Sequence, residues 1–283
     1  MSKQSTNITI LALSFIITMG LNGCSNPTED DTGNLSGDET GTLSVLLTDT
    51  PFPTDLVAEA NVTIVKIEAR AAGGNEGSPY ITLSEDSQTF NLLDLRNGVT
   101  AGLAELEVPA GSYDLFRLYI SDGSVVLKDG PTYNLTVPSG AQTGLKLFVS
   151  PAIEVVSGLT SDLLLDFDVE KSFVLQGNRD SIGGFIFKPV IRATNASTVG
   201  RISGTVTDTA AVANALENAT VWVAQDTVVS TTYTGADGSY SILGLPAGSY
   251  SAYATLAGYD TVAVDVTVAA GSQSAAEFEL TPQ

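Results

Sequence analysis

The sequence predicts an all-β chain: two consecutive antiparallel β-sandwich domains that follow a leader and a disordered acidic tether. Three observations carry this. Beyond residue 41 the chain is a succession of short β-rich runs, at 43–49, 61–68, 103–108, 113–120, 124–127, 133–137, 145–149, 163–169 and 185–191. Turn residues separate them, as at Pro109-Ala110-Gly111, Asp122-Gly123, Asp129-Gly130 and Pro138-Ser139-Gly140. Asp-Gly between β runs is a strong hairpin signal. No segment sustains a 3.6-residue apolar period, so at most a short helical turn fits near 92–103. Many short strands with Gly and Pro turns argue for a sandwich or barrel.

Residues 1–23 read as a lipoprotein signal peptide. A polar start with Lys3 precedes the apolar run at 8–21, which is shorter than the roughly 20 residues a spanning helix needs. The run closes on Leu21-Asn22-Gly23-Cys24, and Cys24 is the only cysteine. That pattern is a lipobox, with Asn22 where Ala, Ser or Thr is usual. Cleavage before Cys24 frees a thiol, the side chain that takes up a lipid as thiolate. Stable attachment takes more than one acyl chain, which a diacylglyceryl group plus an N-acyl chain supplies. The membrane partner is therefore expected through Cys24, and the mature chain is left without a disulfide.

Residues 24–41 form the tether, polar and acidic with Glu29-Asp30-Asp31 and Asp38-Glu39. By resemblance to Gram-negative lipoproteins, the non-acidic Ser25 implies the outer membrane. The acidic run is similar to export signals for its outer face, and equally to ordinary linker composition. The periplasmic and extracellular faces both stay open.

Composition narrows the function. The 283 residues carry 12 Lys and Arg against 32 Asp and Glu, a formal net charge of -20. Nucleic acid is not expected as a partner, because phosphate contacts need clustered cations. There is no histidine. That removes the commonest general base and metal ligand. With Cys24 lipidated, thiolate catalysis and Cys/His zinc sites go too. No cofactor and no transition metal are expected, while calcium, which takes oxygen ligands, stays chemically available.

A β-rich domain is expected at 42–194, and a second at 200–283, with the boundary in the small, polar stretch 193–199. The second is tidier in its alternation, as in Arg201 to Asp208 and Asn218 to Val223, and has room for seven short strands. One phrase occurs in both domains: Pro109-Ala110-Gly111-Ser112-Tyr113 and Pro246-Ala247-Gly248-Ser249-Tyr250. Pro fixes φ and Gly supplies positive φ, which makes a tight turn into the strand that the Tyr begins. It is read as a structural device.

Gly204-Thr205-Val206-Thr207-Asp208, Asp237-Gly238-Ser239-Tyr240, Leu245-Pro246-Ala247-Gly248-Ser249-Tyr250 and Gly258-Tyr259 resemble the carboxypeptidase regulatory-like family. The resemblance implies a transthyretin-like sandwich, grouped with carbohydrate-binding-like folds, an accessory domain and no peptidase. Leu46-Leu47-Thr48-Asp49-Thr50-Pro51, Phe90-Asn91-Leu92-Leu93-Asp94-Leu95, Val137-Pro138-Ser139-Gly140 and Leu163-Leu164-Leu165-Asp166-Phe167-Asp168 resemble a bacterial lipoprotein domain of unknown function. That resemblance implies architecture and is silent on activity.

Two sites stand out. Trp222 is the only tryptophan, and alternation turns it away from Val221 and Val223. An outward ring is a sugar platform. Packing under a loop or against the first domain is the more ordinary fate of a large aromatic. Asp162, Asp166, Asp168 and Glu170 cluster near one strand, with Asp166 and Asp168 on one face. They suit calcium or acid–base chemistry, yet a solvated face or pairing with Lys171 or Arg192 is the more usual arrangement. Asp49 and Asp94 read as turn residues.

The preferred reading is a non-enzymatic surface lipoprotein that binds or adheres, with carbohydrate or a surface protein as partner. A structural spacer that holds a partner off the membrane is the alternative. A carboxylate-based hydrolase ranks third.

Overall fold

The computed structural model describes residues 39–50, 56–75, 77–128, 130–137, 143–178, 181–210 and 212–283. The leader, Cys24, the tether before Glu39 and the turn Pro138-Ser139-Gly140 lie outside these residues.

Among the described residues the first domain holds twelve strands: β1 (Thr40–Thr50), β2 (Val57–Ala71), β3 (Ile81–Ser84), β4 (Gln88–Asn91), β5 (Ala101–Pro109), β6 (Gly111–Leu127), β7 (Thr132–Leu135), β8 (Leu145–Val155), β9 (Thr160–Asp168), β10 (Phe173–Asn178), β11 (Ser181–Phe187) and β12 (Ile191–Asn195). One sheet has the order β12-β9-β1-β5. The facing sheet runs β3-β2-β6-β7, with β4 also on β2 and β8 on β6. Alternate residues meet between them. Leu43, Val45 and Leu47 of β1, and Leu163, Leu165 and Phe167 of β9, pack against Ile64, Ile67, Phe116 and Leu118. The β10–β11 hairpin adds Phe173 and Phe187, whose rings lie 4.8 Å apart. Near 92–103 the chain makes one 3₁₀ turn, Leu92–Leu95, capped by the Asn91 side chain.

Pairing is mainly antiparallel, with one departure: β1 and β9 run parallel, Thr42 opposite Thr160 through Thr50 opposite Asp168. The continuous apolar run in β9 follows from this placement. It is central in its sheet and buried on both faces, so alternation is not required of it.

From β12 the chain crosses a single 3₁₀ turn, Ala196–Thr198, and enters the second domain at β13 (Val199–Asp208). Then come β14 (Thr220–Ala224), β15 (Val228–Tyr233), β16 (Ser239–Pro246), β17 (Gly248–Thr255), β18 (Val262–Val268), β19 (Gln273–Ala275) and β20 (Phe278–Leu280). The sheets are β16-β13-β19, with β20 further along β13, and β15-β14-β17-β18. A separate core joins them, built on Ile202, Val206, Val221, Val223, Tyr240, Ile242, Ala252 and Phe278. Where seven strands were expected, eight stand among the described residues, because the last run breaks in two. The break is at Ala276, whose carbonyl turns over Gly204 and accepts the Tyr240 hydroxyl at 2.7 Å.

Candidate functional site

Trp222 lies on the outer face of its sheet. Along β14 the side chains alternate, with Val221 and Val223 buried and Thr220, Trp222 and Ala224 half-buried on the other side. Trp222 is paired with Thr231 on β15 and Tyr253 on β17, and Tyr253 in turn with Ala263 on β18. The two rings stack, with centroids 5.1 Å apart and planes within 7°. One face of each ring is used in this stack. Polar groups flank the pair on the same face: Thr220, Thr231 and Ser251, whose hydroxyl donates to Asp265 at 2.8 Å. Trp222 is thus outside the core, half-buried beside Thr231.

The acidic strand behaves differently. Arg192 donates to Asp166 at 2.7 Å, and Lys171 to Asp168 at 2.6 Å. Of the two arrangements the sequence left open, a solvated face or pairing with Lys171 or Arg192, the structure has the pairing, and Asp166 is buried. Asp162 sits on the same strand two positions before Leu164, away from these pairs in register. The burial has a cause: the second domain covers this face. A Cβ at Gly244 would lie 3.3 Å from Leu164 Cδ2 and 3.6 Å from Arg192 Nη2. Thr232 donates to Asn97 Oδ1 at 2.8 Å across the same seam. A cavity of about 510 Å³ opens along it, lined by Asp166, Asp168, Lys171, Arg192 and Thr231 among others.

Asp49 departs from its reading as a turn residue. It stands inside β1, 7 % exposed, with both carboxylate oxygens buried and unpartnered. Burial, and secondly the charge of Asp166, push its carboxyl well above the usual range. The Val169 amide and Arg96 act the other way, without a hydrogen bond of normal geometry from either. Register explains how the sequence concealed this, because Thr48 and Asp166 are neighbours only through the parallel β1–β9 pair. Among the described residues no group of three or more Asp, Glu, Cys or His is arranged to hold a metal ion, and no helix is long and apolar enough to cross a membrane.

The model of a domain of unknown function, DUF4382, matches residues 40–189, just over half of the chain. The chain belongs to the DUF4382 family. A carboxypeptidase regulatory-like domain follows at residues 201–281. No curated protein matches the chain significantly. Among solved structures, the TIE protein of Bacillus anthracis is 18 % identical, with 86 % of this chain matched and a TM-score of 0.26. The match spans 34 % of that protein, about a third of its length. The shaft pilin SpaA of Lactobacillus rhamnosus GG is 12 % identical over 87 % of this chain and 98 % of its own, with a TM-score of 0.29. The major pilin subunit BcpA of Bacillus cereus is 11 % identical over 87 % and 100 %, with a TM-score of 0.24. At these scores the likeness reaches no further than β-rich construction.

The motifs that carry the regulatory-like resemblance do structural work. Asp208 accepts from the amides of Ala210 and Asn214 and from the Asn214 side chain, which holds its carboxyl below the ordinary range. Asp237 accepts from the Ser239 amide and hydroxyl to close the Asp-Gly turn. The shared Pro-Ala-Gly-Ser-Tyr phrase gives the same bond in the DUF4382 domain and in its partner domain. Tyr113 donates to the Pro109 carbonyl at 2.8 Å, and Tyr250 to that of Pro246 at 2.8 Å.

Proposed function

We propose that this DUF4382 chain is a non-enzymatic, lipid-anchored surface module that binds carbohydrate on the outer face of the β14–β17 sheet. The observation that carries the reading is the Trp222–Tyr253 pair, stacked outside the core and flanked by hydroxyl and carboxylate groups. A pyranose ring presents C–H groups on its face and hydroxyls at its rim. A fixed aromatic beside Ser251, Asp265 and Thr231 suits both at small entropic cost. A hydrolase is disfavoured by what the acidic residues are doing. Asp166 and Asp168 are each held in an ion pair, whereas glycoside hydrolysis needs two carboxylates free to face a substrate. The lipid anchor is proposed at Cys24, on the sequence pattern described above.

The test is a screen of soluble glycans that follows tryptophan emission, since one tryptophan reports. A neutral glycan should shift the emission, and Trp222→Ala should abolish its binding while the unfolding temperature holds. Binding that leaves the emission unchanged and survives the substitution would place the site elsewhere. Absence of any glycan binding would favour the spacer, for which the Asn97–Thr232 bond across the seam is the supporting observation.

A further inference from the structure

We propose that the outer face of β2, β6 and β8 in the DUF4382 domain is a docking surface for a carboxylate-bearing polysaccharide, gripped by Arg70, Arg117 and Lys146. The site is on the other domain from Trp222 and goes beyond that reading.

The argument begins with where the few cations are. Acids outnumber bases 32 to 12 in this chain. Even so, Lys66, Arg70, Arg117 and Lys146 come onto one sheet face. Register brings Arg117 opposite Glu68 on β2 and opposite Lys146 on β8, with Arg70, Leu115 and Phe148 in the next row. Neighbouring strands are about 4.8 Å apart. Like charges directly opposite destabilise a sheet, so the Arg117–Lys146 pair works against the fold.

The charges are also left without a salt bridge, with the Tyr119 hydroxyl standing between Arg117 and Glu68. Among the described residues Arg70, Arg117 and Lys146 make no ion pair. The nearest carboxylate in register, Glu68, is already held by Lys66 at 2.9 Å and by the Tyr119 hydroxyl at 2.8 Å. Nε of Arg70 and Nε of Arg117 are buried without an acceptor, a state that costs about 1–3 kcal/mol per group in a finished structure. The guanidiniums are nonetheless fixed in place. Arg117 lies 4.0 Å above the Tyr80 ring, Arg70 lies 5.8 Å from it, and Arg70 Nη1 donates to the Asn75 carbonyl at 2.9 Å. A planar fork held by an aromatic and lacking its anion is set for a carboxylate.

The rest of the surface selects the kind of anion. Phe148 is 71 % exposed beside Arg70 and Leu115, an apolar plate for the C–H face of a sugar ring. One isolated aromatic is thin for membrane insertion. A flexible acidic peptide would lose more entropy on an open, flat face than a stiff uronate chain does. Attraction is confined to about 8 Å in physiological salt, the scale of this patch, so the acidity of the remaining surface does not cancel it.

The experiment is native affinity electrophoresis of the full chain through gels containing polygalacturonate, with dextran, poly-glutamate and anionic vesicles run in parallel. Polygalacturonate should retard the chain and dextran should not. The Arg70→Gln/Arg117→Gln double variant should weaken binding at least about tenfold, equivalent to about 1.4 kcal/mol. Lys146→Gln, exposed and unpaired, should weaken it without touching stability. Raising salt from about 50 to about 300 mM should weaken it further. Trp222→Ala should leave it unchanged, which separates this site from the C-terminal one. No retardation by polygalacturonate overturns the proposal. So does retardation indifferent to Lys146→Gln and to Phe148→Ser, which decides the matter if the double variant does not fold. Capture by poly-glutamate or vesicles in place of the polyuronate overturns it as well.

Discussion

The hydroxyl of Tyr250 donates to the carbonyl oxygen of Pro246 across 2.8 Å, four residues back along the chain. Tyr113 and Pro109 reproduce the bond in the other domain. Each ring is buried, so each bond ties a tight turn to a core. Tyr250→Phe and Tyr113→Phe should each cost about 1 kcal/mol, the usual worth of a hydrogen bond whose acceptor is left behind. The two cores are separate clusters, so the losses should add in the double variant. Denaturant unfolding of the single and double variants checks this, and a strongly non-additive double would mean that the turns are coupled.

Asp49 makes stability depend on pH in a defined direction. Unfolded, its carboxyl ionises near the ordinary value of about 4. Folded, burial and Asp166 keep the proton on to higher pH. Between those two values the folded state binds more protons, so this residue's contribution is full below about pH 4 and is lost as pH rises. Asp49→Asn should remove that slope and gain on the order of 1 kcal/mol at neutral pH. Thermal midpoints of both proteins at acid and at neutral pH give the answer. A variant equally destabilised at both would show that the carboxylate has a partner.

We expect residues 200–283 to fold alone, because their core draws on no residue of the first domain. That fragment should give a β-type circular dichroism spectrum and one cooperative transition. Within it, Gly204→Ala should abolish the transition. An added Cβ would meet the Ala276 carbonyl oxygen at 1.9 Å, on a backbone that also anchors Tyr240. A folded Gly204→Ala fragment would mean that the break between β19 and β20 yields easily.

Replacement of Cys24 by Ala should abolish fatty-acid labelling and release the protein from membranes. Labelling that persists in the variant would refute the anchor.

Much of this was legible in the sequence, and the reasons are local. Alternation in β14 was enough to turn Trp222 outward, and the sequence offered Lys171 or Arg192 as a partner for the acidic strand, while the pairing of Asp166 with Arg192 and Asp168 with Lys171 came from the structure. The recurring Pro-Ala-Gly-Ser-Tyr phrase announced a turn in each domain, though not the Tyr-to-Pro bond it makes, and the positive φ expected of its glycine holds at Gly111 but not at Gly248. What stayed hidden depends on register between distant segments. Asp49 meets Asp166 only when β1 and β9 pair in parallel. Arg70, Arg117 and Lys146 are scattered in sequence and converge through β2, β6 and β8. One signal was present and readable: Leu163-Leu164-Leu165 breaks the alternation of a half-exposed strand. It implied a cover for the outer face of β9, which the second domain supplies at Gly244.

The parallel pairing of β1 with β9 also orders events in time. Among the described residues β1 is the first strand to be made, and one of its two neighbours ends only at Asp168. Until then Leu43, Val45 and Leu47 line a strand with one open edge, which is a template for association with other chains. Chain closure over so long a separation is slow. Folding delayed until the whole first domain has emerged would spare the strand that exposure. Fragments that end before Thr160 should accumulate as aggregates rather than as soluble half-domains.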